Sequence, residues 1–201
     1  MLEKRKNFCL NKEEYIKTVS EKIKELLEAV GEDPEREGLK ETPLRVAKMY
    51  REILKGYCEE EKPKITVFEN KESYSEMIID EGYYYSLCEH HMLPFFGKVF
   101  VAYIPDKKLI GISKLARIVD HFAAGLQVQE RLTKQIAEYL NEVLKPKGAA
   151  VLMEGRHLCR ELRGVKKFGA IMTTSELLGQ FREDARTRNE FMNLVQSKIN
   201  N

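Results

Sequence analysis

The chain has no apolar run long enough to cross a bilayer. Its longest such stretches, typified by "GAAVLM" at 148–153, fall far short of the roughly 20 residues a spanning helix needs. No apolar segment follows the basic residues of "MLEKRKNFCLNKEEY", so the start does not read as a secretory signal and a cytoplasmic protein is expected. Cysteine is scarce: residues 9, 58, 88 and 159 in 201 positions make no disulfide framework, and Cys9 and Cys58, with no histidine beside them, are expected to be incidental thiols. An excess of one charge is also lacking. The 34 Lys and Arg against 32 Asp and Glu leave a formal net charge of +2, which does not suggest a nucleic-acid surface, so any polyanion must be held by a local pocket. The sequence carries no internal repeat, no low-complexity tract and no Walker-type phosphate loop.

What is present is the composition of a soluble globular protein, 43% apolar and 33% charged, in a length that fits one domain with or without a small appendage. Apolar residues at 16, 19, 23, 26, 27 and 30 predict an amphipathic helix over 11–30, with Asn11 as N-cap, Glu14 three residues later and Gly31 as stop. "TPLRVAKMYREILKG" predicts a second helix, with Thr42 as N-cap, Pro43 in the first turn and Gly56 at the end. From about residue 63 β-branched and aromatic residues take over, in "KITVFEN" and "MIIDEGYYYS". "GKVFVAYIP" is apolar at nearly every position, which predicts a strand covered on both faces. Two helices follow in "SKLARIVDHFAAGL" and "VQERLTKQIAEYLNEVLK", then two strands in "GAAVLMEG" and "GAIMTTSELLG", then a helix over 184–199. The class is α+β, with a helical region over 1–62 and a strand-bearing domain over 63–201.

The chemistry concentrates in two short stretches. "CEHH" holds Cys88, His90 and His91, and "GRHLCR" holds His157 and Cys159, so three of the four histidines lie within three residues of half of the cysteines. Thiolate and imidazole are the usual donors to zinc. Cys88 and His91, three apart, can be aimed at one point by a single turn, whereas His157 and Cys159, two apart, share a face if they lie on a strand. One C-x-x-H by itself is commonly packing; a second cluster favours metal. Spacing leaves open whether the clusters meet and which histidines are ligands. Four donors would close the site as a structural one, and three would leave a position for water. Ser113 and Lys114 open a helix, with Arg117 one turn on and Arg163 beside a glycine in "RELRGV". Each is singly an ordinary surface charge; together they suit a phosphate-rich ligand. Gln129 and Glu130 open the next helix, where an acid is favoured by the dipole alone, although a carboxylate beside an amide also matches a guanine or pterin edge.

The stretches "CEHHMLPFFGKV", "VAYIP", "IGISKLARIV", "LQVQERLTKQIAE", "RHLCRELRGV" and "TTSELLGQFRED", in that order, together resemble GTP cyclohydrolase I, and "ETPLRVAKMY" is similar to the helical region of that family. The resemblance runs over about 12–197. It implies a tunnelling fold, an antiparallel sheet with two helices on one face, preceded by the small helical region. Such sheets join into a barrel, in a homodecamer of two pentamers with active sites between subunits. It implies Zn²⁺ held by Cys88, His91 and Cys159, with His90 and His157 as proton-transfer groups and Ser113 as a shuttle. Lys114, Arg117, Arg163 and Lys48 would bind phosphate alongside Ser113, and Gln129 with Glu130 would hold the guanine edge. The implied reaction is hydrolysis of GTP at C8, with His157 protonating N7, release of formate, and ring closure to 7,8-dihydroneopterin triphosphate. No nucleic-acid or membrane partner is implied. The chain departs from the family's S-x-T pattern in "KKFGAIMTTS", where Ala170 and Met172 would weaken GTP binding or shift the substrate if hydroxyls are needed there, Met172 otherwise being a packed strand residue. Phe100 also stands where many relatives are polar. The alternatives are a related tunnelling-fold enzyme on another purine or pterin, which would lack "CEHH", and a non-catalytic oligomer with a structural zinc.

Overall fold

Two units divide between Lys62 and Pro63. The computed structural model describes residues 8, 9 and 11–199, so most of the N-terminal stretch that carries the expectation of a cytoplasmic protein lies outside the described residues.

In the first unit, helix α1 (Lys12–Ala29) begins with a reciprocal cap. The Asn11 side chain accepts from the Glu14 N–H at 3.3 Å and donates to the Glu14 carboxylate at 2.5 Å, satisfying a donor that the first turn leaves free. Helix α2 (Thr42–Ile53) departs from expectation, because Thr42 is its first residue rather than its cap. The reason lies in the donors: Pro43 has no N–H, and the Thr42 and Arg45 N–H groups already bond to Leu39 and Glu41 carbonyls, so a hydroxyl cap has little left to satisfy. The cysteines correct the sequence reading more sharply. Cys9 and Cys58 form a disulfide, with Cα atoms 5.4 Å apart across a separation of 49 residues, a proximity that only the folded unit creates.

The second unit is mixed α+β around a five-stranded sheet of order β5-β2-β3-β6-β7. Its strands are β2 (Ile78–Cys88), β3 (Pro94–Ile104), β5 (Leu126–Gln127), β6 (Gly148–His157) and β7 (Ile171–Gly179), while β1 (Val67–Glu69) and β4 (Lys108–Ile110) form a separate ladder. All pairs in the sheet are antiparallel except β5 on β2, which is parallel and covers only Leu87 and Cys88. The outer edges of β7 and of most of β2 therefore have no strand beside them among the described residues.

The period-two geometry of β3 sorts its side chains into two cores, as its near-continuous apolar run requires. Val99, Val101 and Tyr103 face helices α3 (Ile112–Ala123) and α4 (Gln129–Leu144), which contribute Leu115, Ile118, Leu132, Ile136 and Leu140. Phe100, Ala102 and Ile104 face the other way and pack with Phe181 of the short helix α6 (Gln180–Glu183) and with Phe191 and Val195 of α7 (Ala185–Ile199). Helices thus cover both faces, not one alone, and Phe100 is fully buried in the second core, which accounts for an apolar residue at that position. No described helix is long and apolar enough to cross a membrane.

Candidate metal centre

Strand β2 ends at Cys88, and the chain reverses through Glu89, His90 and His91 into β3. The reversal is tied by the Cys88 N–H to the Leu93 carbonyl at 2.9 Å and by the Met92 N–H to the Cys88 carbonyl at 2.8 Å, with Met92 in the left-handed region at φ +54°. Strand β6 ends opposite, at His157, paired in register with Phe95 of β3. Cys159 does not continue that strand as the spacing suggested. It sits in α5 (Leu158–Glu161), a helical turn held by a bidentate pair in which Arg156 Nε and Nη2 donate to Glu161 at 2.9 and 2.6 Å. The hydrogen bonds from Arg156 hold the Glu161 carboxyl below the usual carboxylate range.

These two strand ends bring Cys88, His91 and Cys159 together, with one donor atom from each lying within 4.8 Å of the others. Burial first, and the neighbouring Cys88 sulfur next, raise the Cys159 thiol above its ordinary pKa. Neither His90 nor His157 joins this group. The His90 side chain is exposed, with Nδ1 3.8 Å from Cys88 Sγ. Arg163 donates from Nη1 to His91 Nε2 at 2.6 Å, so the guanidinium stands at the edge of the cluster. A second group, Cys9, Cys58 and Glu60, has similar spacing, but its sulfurs are spent in the disulfide.

His157 stacks face to face on the fully buried Phe95, with ring centroids 4.7 Å apart and planes 6° from parallel, as cross-strand partners can. Its Nε2 lies 2.8 Å from Gln129 Oε1. Burial lowers its pKa, and the nearby Glu130 carboxylate works in the opposite direction. Glu130 is exposed in the first turn of α4, whereas Gln129 is fully buried.

The remaining sequence candidates lie elsewhere. Ser113, Lys114 and Arg117 occupy the first turns of α3, and among the described residues no hydrogen bond or ion pair joins them to the cysteine and histidine group. Ser113 lines a cavity of about 390 Å³ with Asp80, Glu81, Tyr83, Ile112 and Asp120. Lys48, in the helical unit, lines another of about 460 Å³ with Lys12, Arg51 and Lys55. Met172 and Ala170 are half-buried, and the Met172 carbonyl accepts from Gln129 Nε2 at 3.0 Å. One feature beyond the sequence candidates braces the turn between β2 and β3. Glu89 pairs with Arg131 of α4, whose Nε and Nη2 also reach Gln127 Oε1 and the Leu126 carbonyl at 2.9 and 3.0 Å.

The sequence matches the family model described as GTP cyclohydrolase I over residues 19–196. It is 53% identical to GTP cyclohydrolase 1 of Sulfurihydrogenibium sp. (strain YO3AOP1) over 180 residues, covering 89% of this chain and 94% of that one. It is 51% identical to the enzyme of the same name from Chlorobium phaeovibrioides (strain DSM 265 / 1930) over 185 residues, covering 90% and 82%. The corresponding protein of Coxiella burnetii (strain Dugway 5J108-111) is 50% identical over 179 residues, covering 89% and 97%.

Proposed function

The chain belongs to the GTP cyclohydrolase I family, and we propose that Cys88, His91 and Cys159 hold the zinc ion with which it converts GTP to 7,8-dihydroneopterin triphosphate and formate. The observation that carries this reading is the donor count. Two thiols and one imidazole converge within 4.8 Å while both neighbouring histidines stay outside the group. A borderline-soft donor set suits zinc, and three protein ligands leave a coordination position open, as catalytic sites do and closed structural sites do not. When bound there, zinc supplies Lewis-acid chemistry to a hydrolysis at neutral pH.

The chain's own groups do the rest. His157, with its ring plane fixed on Phe95, gives a proton to N7 as the imidazole ring of GTP opens at C8. Glu130 is exposed and close enough for its charge to act on His157, so its carboxylate suits the paired N–H donors of the guanine edge. The start of α3 offers the triphosphate free backbone N–H groups together with Ser113, Lys114 and Arg117. Arg163 and Lys48 supply further positive charge, Arg163 from beside His91. His90, exposed next to Cys88, and Ser113 move protons in the later rearrangement. A GTP substrate supports a cytoplasmic reaction.

Among the described residues no hydrogen bond or ion pair joins the start of α3 to the metal group, and the outer edges of β7 and of most of β2 have no strand beside them. Tyr83 and Tyr85 of β2, 66% and 73% exposed, add apolar surface beside one of those edges. This supports a homo-oligomer, a decamer of two pentamers with sites between copies. A solution mass equal to that of a single chain would refute it.

The direct test incubates the zinc-loaded chain with GTP and measures formate together with the fluorescent neopterin obtained on oxidation. Both products are expected. GTP left intact while a different purine or pterin is consumed would transfer the chain to a related activity, and no turnover with any of them would leave the metal structural.

A further inference from the structure

The Gln129 side chain is 0% exposed, although the sequence pattern offers it to the substrate. Its Nε2 faces three acceptors that share the two amide hydrogens, the Met153 carbonyl at 3.1 Å, the Met172 carbonyl at 3.0 Å and Thr174 Oγ1 at 3.1 Å. Two of those partners are backbone carbonyls, which only accept, so the amide cannot be turned end for end: the NH₂ must face β6 and β7. The hydroxyls agree with this direction. Thr133 Oγ1 donates to the Gln129 carbonyl at 2.7 Å, which leaves the Thr174 hydroxyl to donate to Thr133 Oγ1 at 2.7 Å and to accept from Gln129.

Gln129 Oε1 is then a pure acceptor, and both of its directions are taken, by the Tyr84 hydroxyl at 3.2 Å and by His157 Nε2 at 2.8 Å. The second contact is a hydrogen bond only if His157 Nε2 carries a hydrogen. No described residue hydrogen-bonds to the other ring nitrogen, Nδ1. The pocket is also shaped for this pair, because a Cβ at position 155 would stand 2.3 Å from Gln129 Oε1 and 2.4 Å from the Tyr84 hydroxyl, so Gly155 leaves the room they occupy.

We infer that Gln129 is a positioning residue that commits His157 Nε2 to an internal hydrogen bond and thereby makes Nδ1 the nitrogen that exchanges a proton with the substrate. This rests on His157 as the acid of the proposed reaction and revises the expectation that the Gln129 amide reads the guanine edge. It also bears on Met172: the network uses the backbone carbonyl at 172, so the side-chain departure at that position leaves it intact.

The tautomer can be read without turnover. In zinc-loaded protein carrying ¹⁵N-histidine, long-range proton–nitrogen correlation resolves the rings of the chain's four histidines, with His157 assigned by its loss in His157→Asn. Wild-type His157 is expected to show hydrogen on Nε2 and a bare Nδ1 in its neutral form. The reverse pattern would overturn the inference, and this measurement stands even where a Gln129 variant does not fold. In kinetics, Gln129→Met is expected to lower kcat by about 10- to 100-fold, the loss typical of removing an orienting partner, with KM for GTP little changed and metal content intact. A raised KM with kcat preserved would mean that Gln129 binds the guanine directly, which contradicts the inference. A wild type that releases no formate would strike the proposed function and leave the tautomer reading to be judged on its own spectrum.

Discussion

Cys159→Ala is expected to lose metal and turnover together, whereas His157→Ala keeps its metal and loses turnover by about 10²- to 10⁴-fold, the usual contribution of a positioned acid or base. The two residues are only two apart in sequence, yet the end of β6 sends them to different tasks. His157 is the last residue of the strand and turns its Nε2 to Gln129. Cys159 lies in the following helical turn, where the Arg156–Glu161 pair folds it back toward Cys88 and His91. Alanine at 159 removes one of three donors, and the surviving thiol and imidazole form no chelate comparable with the original. Alanine at 157 leaves all three donors in place, and Gln129 Oε1 keeps the Tyr84 hydroxyl as a partner, so no buried acceptor is orphaned. Zinc per chain after gel filtration, measured beside formate release, separates the cases. A His157→Ala protein that elutes without zinc would put His157 among the ligands and undo this division of roles.

The parts of this arrangement that follow local rules were legible in the sequence. Helix α1 announces itself through its apolar spacing and its Asn11–Glu14 cap, and β3 through an apolar run that could be covered only on two faces. Cys88 and His91 were readable as a pair because a single reversal separates them. What was not legible depends on distance in sequence. The Cys9–Cys58 bond spans 49 residues, and nothing near either cysteine distinguishes it from an incidental thiol. The chain's turn out of β6 at Leu158 depends on Arg156 and Glu161 finding each other, so spacing alone extended the strand by two residues and put Cys159 on the wrong kind of element. Gln129 is the clearest instance. Its position at the start of a helix beside an acid suggested contact with the guanine edge, whereas its amide is consumed by Tyr84, Met153, Met172, Thr174 and His157, drawn from three strands. Only Thr133, one helical turn on, could have hinted at a buried face.

Gly97→Ala is expected to lower the stability of the strand-bearing unit by about 3 kcal/mol or more, at the upper end for overpacking, while Gly82→Ala stays within about 0.5 kcal/mol of wild type. Both glycines lie in the β2–β3 pair, at positions where Gly82 faces Val99 and Gly97 faces Tyr84 and Gly155. Their surroundings differ in what could yield. A Cβ at 82 meets nothing closer than a Val99 methyl at 3.9 Å, an ordinary contact. A Cβ at 97 would stand 1.9 Å from the Glu154 carbonyl oxygen, 2.9 Å from its carbon and 3.1 Å from the Gly155 Cα. All three are backbone atoms of β6, so relief requires the β3–β6 ladder to part rather than a side chain to turn. That displacement falls between Phe95, which stacks on His157, and the 155 position that makes room for Gln129 and Tyr84. The loss of stability therefore comes with a loss of kcat, although Gly97 touches neither metal nor substrate. For a chain of this size 1 kcal/mol corresponds to about 2–4 °C in Tm, so Gly97→Ala is expected to melt at least about 6 °C below wild type. A Gly97→Ala protein that melts with wild type and keeps its turnover would mean that β3 and β6 do not approach this closely in the folded enzyme.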